Sequence, residues 1–227
     1  YAQEEIPEGL IKPFDVNKDL YYTLDIEDGR VREIQINPEE PGIQNLSLNI
    51  YIIERELLIS QISAAFVRGY VYFERDILAP QLDKLNVRGY KFGGYIARIS
   101  SIKSYFDENM KLLDEENLDA LFGGNHIYTK IRDDNPTRYI KGAKAKNIMA
   151  ADGCIIEGEV ENSVLFRGVR VGKGAKVKNC VLMQDTVIEP GVNVEYIISD
   201  KNVTITADKE IKGTDSFPVY VAKYQVV

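Results

Sequence analysis

Histidine and cysteine are scarce in this chain. His126 is the single histidine, and Cys154 and Cys180 are the two cysteines among 227 residues. Chemistry that needs a histidine base or a set of His and Cys metal ligands has almost nothing to draw on. His126 reads as a solvated loop residue rather than a catalyst. Neither cysteine sits in a C-x-x-C pair, so two buried, reduced thiols are expected, with a disulfide or a metal site the poorly supported alternative. No apolar run approaches the ~20 residues of a membrane span and no signal peptide is expected, which points to a cytoplasmic protein without a membrane partner. No long block of like charge is present, and the net charge of −7 (28 basic against 35 acidic residues) disfavours nucleic acid, which needs a basic surface. A glycine-rich phosphate loop leading into a helix is also missing. Together with the opening Tyr1-Ala2-Gln3-Glu4-Glu5-Ile6-Pro7, this sets the expectation that the chain begins inside a natural domain.

What is present is an ordinary globular composition, 44% apolar and 28% charged, with room for one large or two small domains. The most informative stretch runs from Ile148 to Ile205. Val171 and Val177, Val181 and Val187, and Ile188 and Val194 are each six residues apart, with Gly168, Gly172, Gly174 and Gly191 between them. A helix (period 3.6) or an alternating strand (period 2) does not produce such spacing. A parallel β-helix does, because each short strand points one aliphatic into a narrow core. At roughly 18 residues per coil the stretch holds about three coils. Met183 and Asn193 occupy slots where an aliphatic is expected, and a β-sandwich with glycine turns stays open as the alternative.

Upstream, residues 1–19 read as irregular because Pro7, Gly9 and Pro13 break any period. Leu20–Ile26 and Val31–Ile36 form a hairpin around Glu27-Asp28-Gly29-Arg30. Pro38 and Pro41-Gly42 mark a loop, Leu48–Ile53 a short strand and Glu54–Ala65 a helix. A second helix over Asp76–Leu85 is interrupted or entered at Pro80. Val87–Phe92 and Tyr95–Ile99 read as strands. A helix capped by Ser100 or Ser101 then buries Ile102, Tyr105, Phe106, Met110 and Leu113 along one face. The natural parse is a mixed α/β part over 1–123, a linker over 124–146 and a β-helix over 147–227.

Three motifs ahead of the solenoid resemble the bacterial glucose-1-phosphate adenylyltransferase (ADP-glucose pyrophosphorylase) family. Asp28-Gly29-Arg30-Val31, followed by Ile34-Gln35-Ile36-Asn37-Pro38, is similar to the family's D-G-R-I hairpin and its F-x-E-K-P. Ser47-Leu48-Asn49-Ile50-Tyr51 is similar to S-M-G-I-Y. Gly94-Tyr95-Ile96-Ala97-Arg98-Ile99-Ser100-Ser101-Ile102, with Tyr105-Phe106 and Glu108-Asn109-Met110 behind it, is similar to G-Y-W-R-D-V-G-T and its helix. Tyr139-Ile140, Gly142-Ala143-Lys144, Gly153-Cys154-Ile155-Ile156-Glu157-Gly158 and Asn162-Ser163-Val164-Leu165 continue the match. The resemblance implies the C-terminal portion of a Rossmann-like nucleotidyltransferase domain followed by a left-handed β-helix of hexapeptide repeats, with the nucleotide-binding half upstream of Tyr1.

The departures from the family pattern bear on function. The family's glutamate and lysine that hold the sugar phosphate correspond to Ile36 and Asn37, and a neutral amide replaces the point charge. The family's metal-holding aspartate corresponds to Arg98, and its tryptophan to Ile96. Two unit charges about 4 Å apart interact by about 4 kcal/mol at an effective dielectric near 20. A guanidinium in place of a carboxylate reverses that sign against a divalent ion, on which phosphoryl transfer relies.

The resemblance therefore implies a regulatory-type, non-catalytic subunit of glycogen biosynthesis with no cofactor of its own, although the family uses Mg2+ with ATP. Its expected partners are a catalytic glucose-1-phosphate adenylyltransferase subunit and further copies of itself, met through the β-helix. Ser47 stands where the family serine contacts glucose. Arg132, Arg138, Lys141, Lys144 and Lys146 form a basic excess near Asp133 and Asp134, in the region where family members take sugar phosphates or other anionic effectors; a solvated charged loop is the alternative. Two other functions stay open. One is an active sugar-phosphate nucleotidyltransferase. The other is a hexapeptide-repeat acyltransferase, which needs a histidine near its coils whereas His126 precedes them.

Overall fold

The computed structural model describes residues 2–6, 22–36, 42–124, 127–130 and 132–227. Contacts divide the chain into two units, the first ending at Gly94 and the second starting at Tyr95. Asn37, His126 and the Pro7–Pro13 and Pro38–Pro41 breaks lie outside the described residues.

The first unit is built on a four-stranded antiparallel sheet of β1 (Ala2–Ile6), β2 (Tyr22–Glu27), β3 (Arg30–Ile36) and β4 (Gly42–Leu46), in the order β1-β4-β2-β3. The β2–β3 hairpin closes at Asp28-Gly29, both with positive φ (50° and 75°), as the turn signal required. Two expectations change here. Residues 2–6 are a strand because they pair with β4 over a long sequence separation, which local breakers do not reveal. The strand expected over 48–53 lies instead at 42–46, and beyond it Ile50 and Ile52 are exposed. Helix α1 (Arg55–Arg68) ends on Gly69 in the left-handed conformation. Phe73–Leu78 is a π-helical turn that runs into a 3-10 turn at Ala79–Gln81, with Pro80 near its start. Of the strands expected over 87–92 and 95–99, only an isolated bridge from Arg88 to Arg30 forms. The Arg30 guanidinium also donates to the Leu82 carbonyl at 3.2 Å.

The second unit is a parallel β-solenoid with helices α2 (Ile102–Lys111) and α3 (Glu115–Phe122) ahead of it. One ladder stacks β5 (Arg138–Tyr139), β7 (Ile155–Ile156), β9 (Arg170–Val171), β12 (Val187–Ile188) and β15 (Thr204–Ile205), which makes four turns. A second sheet stacks β6 (Lys144–Ala150), β8 (Glu159–Leu165), β10 (Lys176–Lys178), β13 (Asn193–Glu195) and β16 (Glu210–Lys212) along one path. Along the other, β6 and β8 continue into β11 (Val181–Leu182), β14 (Ile197–Ser199) and β17 (Val219–Val221). The sequence puts the solenoid's start near 147, but the ladder begins at Arg138, so much of the expected linker is already first coil. Partners in successive coils lie 15 residues apart at Asn147/Asn162 and 17 apart at Ser163/Cys180, slightly under the expected repeat.

Stacking the coils lines up single-residue columns. Ile156, Val171, Ile188 and Ile205 form one inward column and Val160, Val177 and Val194 another, all essentially without solvent contact. Each such side chain contributes about 1.5–3 kcal/mol of burial. Cys180 occupies an inward slot, with its backbone N–H donating to the Ser163 hydroxyl at 3.0 Å. Burial pushes its thiol up to about 12, so this cysteine is a core residue rather than a nucleophile. Both cysteines are free and buried, as expected. The corners carry columns of positive φ: Gly153, Gly168, Asp185 and Asn202 at one, and Asn147, Asn162, Asn179 and Tyr196 at another.

Two of the irregular slots now have physical reasons. Asn193 points outward, with its amide donating to Glu210 at 3.3 Å, while the neighbouring Val194 fills the core. Met183 lies outside the coil in a separate cluster, where Phe106 of α2 packs on Val181 and Ile198 with Tyr105, Met110, Phe166 and Tyr196 around them. Val181 is thus buried by the helix, and its spacing to Val187 belongs to outward positions. Trimming Ile188 to Ala is expected to destabilise the solenoid by about 2–5 kcal/mol, whereas Ile52→Ala on the exposed segment is expected to change stability by at most ~0.5 kcal/mol. Denaturant midpoints of the two variants against the parent check this.

Candidate functional site

The residues singled out from sequence fall in both units. In the first, Ser47 follows β4 directly. Its backbone N–H donates to the Tyr22 carbonyl at 2.8 Å, and its hydroxyl accepts from the Asn49 backbone N–H at 3.3 Å. Asn49 takes a positive φ of 56°, which turns the chain and carries Tyr51 toward the π-helical turn. There the Tyr51 hydroxyl donates to Glu74, a carboxylate left only 8% exposed, and the Tyr51 ring meets Phe73 edge-on at 5.2 Å. Burial, then the bond to Glu74, pushes the Tyr51 phenol above its ordinary value, while the Ser47 hydroxyl acts in the opposite direction. Burial and the nearby Glu74 raise Tyr22 in the same sense.

Sequence reasoning singled out Ser47 and passed over the Tyr51–Glu74 pair. The available signal was a glutamate directly after the apolar run Val71-Tyr72-Phe73, where a charge needs a partner. Next to the pair, Asp76 accepts the Val71 and Tyr72 backbone N–H groups, both at 2.9 Å. Its Arg75 partner lies 2.6 Å away and stacks 4.3 Å over the Tyr72 ring. The Arg75 guanidinium, followed by the two backbone donors, holds the Asp76 carboxyl well below the usual carboxylate range.

Arg98 belongs to the second unit and is half-buried in the irregular segment ahead of α2. That segment is tied to the helix at several points. The Tyr95 hydroxyl donates to Glu108 at 3.0 Å. Ser101 caps α2 through the Ser104 backbone N–H, and the Ser104 hydroxyl accepts from the Ser100 and Ser101 N–H groups at 2.9 and 2.8 Å. A guanidinium has no lone pair to offer a cation, so the position does not fit a divalent metal. Among the described residues no group of three or more His, Cys, Asp or Glu side chains stands ready to hold one.

The basic residues of the expected effector region do not form a free cluster. Arg132 pairs with Asp134 at 3.4 Å, and Arg167 approaches the same oxygen at 3.8 Å without a hydrogen bond. Lys144 and Lys146 pair across the coil step with Glu159 and Glu161 at 2.6 and 3.0 Å. Arg138 and Lys141 remain exposed on the first coil. The outward charges along this face alternate, with Lys144, Glu159 and Lys176 in one row and Lys146, Glu161 and Lys178 in the next. That alternation serves stacking of the coils.

Comparisons with known proteins agree with this layout. A family model described as GlmU-like, C-terminal hexapeptide, matches residues 131–217. The glycogen biosynthesis protein GlgD of Bacillus subtilis (strain 168) is 37% identical over 195 residues, covering 86% of this chain and 57% of the relative. A glucose-1-phosphate adenylyltransferase of Clostridium perfringens (strain 13 / Type A) is 33% identical over 173 residues, covering 72% of this chain and 42% of the relative. A second GlgD, from Geobacillus stearothermophilus, is 53% identical over 70 residues, 30% of this chain and 20% of the relative. The chain thus spans about half the length of the relatives that it matches most widely.

Asp76 provides a pH test for the first unit. Its folded pKa lies below the unfolded value of ~3.9, so its stabilisation is present above that value and is lost as pH falls toward the folded pKa. Asp76→Asn is expected to lower stability at pH 7 and to lose less of it between pH 7 and pH 3 than the parent does. Denaturant unfolding at the two pH values measures both.

Proposed function

For a chain that is kin to the glucose-1-phosphate adenylyltransferases and the GlgD proteins, as its motifs and the comparisons agree, we propose a regulatory, catalytically inactive role in glycogen biosynthesis, exerted on a catalytic glucose-1-phosphate adenylyltransferase subunit. The observation that carries this reading is Arg98 on a segment fixed to the solenoid through α2. The position where the resemblance expects a metal-holding carboxylate bears a guanidinium, and it lies in the same compact unit as the solenoid.

The first supports lost activity, since a cation is repelled where phosphoryl transfer needs one bound. The second supports regulation. A partner gripping the solenoid gains purchase on the segment through Phe106, and a coupling of 1–3 kcal/mol is enough to change an affinity about 5–150-fold. Two free, buried thiols support the cytoplasm as the compartment. Among the described residues no helix is long and apolar enough to cross a membrane. The acyltransferase alternative loses ground, since the solenoid contains no histidine to act as a base.

The deciding assay supplies ATP, glucose 1-phosphate and Mg2+ to the full-length protein alone and then to its mixture with the catalytic subunit. No ADP-glucose alone, with a shifted KM or effector response in the mixture, is the expected outcome. Robust synthesis by the protein alone contradicts the reading and restores the active nucleotidyltransferase. Arg138 and Lys141, exposed on the first coil, are the remaining candidates for an anionic effector such as a sugar phosphate. Replacing both by Ala is expected to reduce the mixture's effector response severalfold, and an unchanged response removes the site from them.

A further inference from the structure

One corner of the solenoid borders two adjoining open grooves. The larger, about 530 Å³, lies between α2 and the corner that carries Asn179 and Tyr196. The smaller, about 370 Å³, continues from it past Met110 and Leu113 to Asn162 and Asn147. Both are grooves open to solvent rather than enclosed sites. The corner column runs along the groove with one residue per coil: Asn147, Asn162, Asn179 and Tyr196, at φ of 50°, 45°, 50° and 52°.

The three asparagines suit this left-handed conformation, which their short polar side chains tolerate. Tyr196 does not, since a bulky residue at positive φ is an outlier and the preceding coils show that Asn satisfies the corner. What the tyrosine adds is an aromatic ring that packs on the Phe106 cluster, 6.1 Å from the Phe106 ring, and is partly exposed at the groove's end. Asn147 donates to Asn162 at 2.9 Å, which orients the first two carboxamides as a ladder. Asn179, half-buried, lines both grooves.

The groove's chemistry narrows the ligand. Its charged rim holds Lys103 and Lys111 against Asp107, Glu108, Asp114 and Asp215. Both lysines are already paired, Lys103 with Asp107 at 2.6 Å and Lys111 with Glu108 at 2.7 Å. An anion therefore meets excess negative charge and no free cation among these residues. Each carboxamide offers donors and an acceptor together, as does a hydroxyl. Coils stack about 4.8 Å apart, so consecutive amides present this pattern at an interval close to the length of a sugar unit in a chain. Met110 and Leu113 provide an apolar wall for the C–H faces of such rings.

We propose that this groove binds a neutral oligosaccharide, with Asn162 and Asn179 hydrogen-bonding its hydroxyls and Tyr196 packing against a terminal ring. The inference does not depend on the regulatory role. The test titrates the full chain with maltoheptaose, cellohexaose, an uncharged heptapeptide and fructose 1,6-bisphosphate by calorimetry. It then repeats the titrations with Asn162→Gly/Asn179→Gly, which keeps the backbone conformation at no steric cost, and with Tyr196→Asn, which restores the residue that the other coils use.

Binding of at least one oligosaccharide by the parent is expected, weakened by about tenfold or more in each variant that stays folded. If the double variant fails to fold, Tyr196→Asn decides alone. Failure of the parent to bind either oligosaccharide overturns the proposal. So does equal affinity in a folded variant, or preference for the peptide or the bisphosphate.

Discussion

The contact between Phe106 and the outer face of the solenoid, at Val181 and Ile198, is what the second unit's functional geometry depends on. It buries a large aromatic almost completely and makes both faces of the β8, β11 and β14 ladder apolar. Without it, the remaining members of this cluster, Tyr105, Met110, Phe166, Met183 and Tyr196, are only partly buried. The capping box at Ser101 and Ser104 and the Tyr95–Glu108 bond then position the Arg98 segment on the helix but no longer on the solenoid. A single packed ring thus sets whether the segment and the coils behave as one body.

The solenoid itself rests on simpler physics. Short strands gain little alone, and each inward aliphatic is buried only when a coil lies above and below it. The register is reinforced outside by alternating charges and at the corners by residues that accept positive φ. That arrangement leaves the inside chemically inert: Cys154 and Cys180 sit in core slots, and the buried Ser163, Thr186 and Ser199 hydroxyls are all hydrogen-bonded.

Much of this was legible from the chain, because six-residue spacing with interspersed glycine has few structural meanings. The Val171/Val177 and Ile188/Val194 pairs are inward residues on successive faces, as read. Val181/Val187 misled, since burial beneath a helix produces the same apolar signature as burial in a coil. The hairpin at Asp28-Gly29 and the amphipathic face around Phe106 were readable because turn chemistry and helical periodicity are local. Strand β1 was not, since it exists only through pairing with β4, nor was the Tyr51–Glu74 bond, whose partners are brought together by the turn at Asn49. The basic residues around Arg138 show another limit of reading along the chain. Proximity in sequence implied an anion site, yet the coil step gives Lys144 and Lys146 carboxylate partners that sequence distance conceals.

Hydrogen exchange of the backbone amides tests most directly whether the Arg98 segment is mechanically part of the solenoid. In the parent, amides of 102–111 are expected to exchange in step with those of the central coils, and Phe106→Ala is expected to release the helix while the coils keep their protection. Exchange of α2 in the parent orders of magnitude faster than that of the coils would contradict a shared rigid unit and, with it, the route by which contacts on the solenoid reach Arg98.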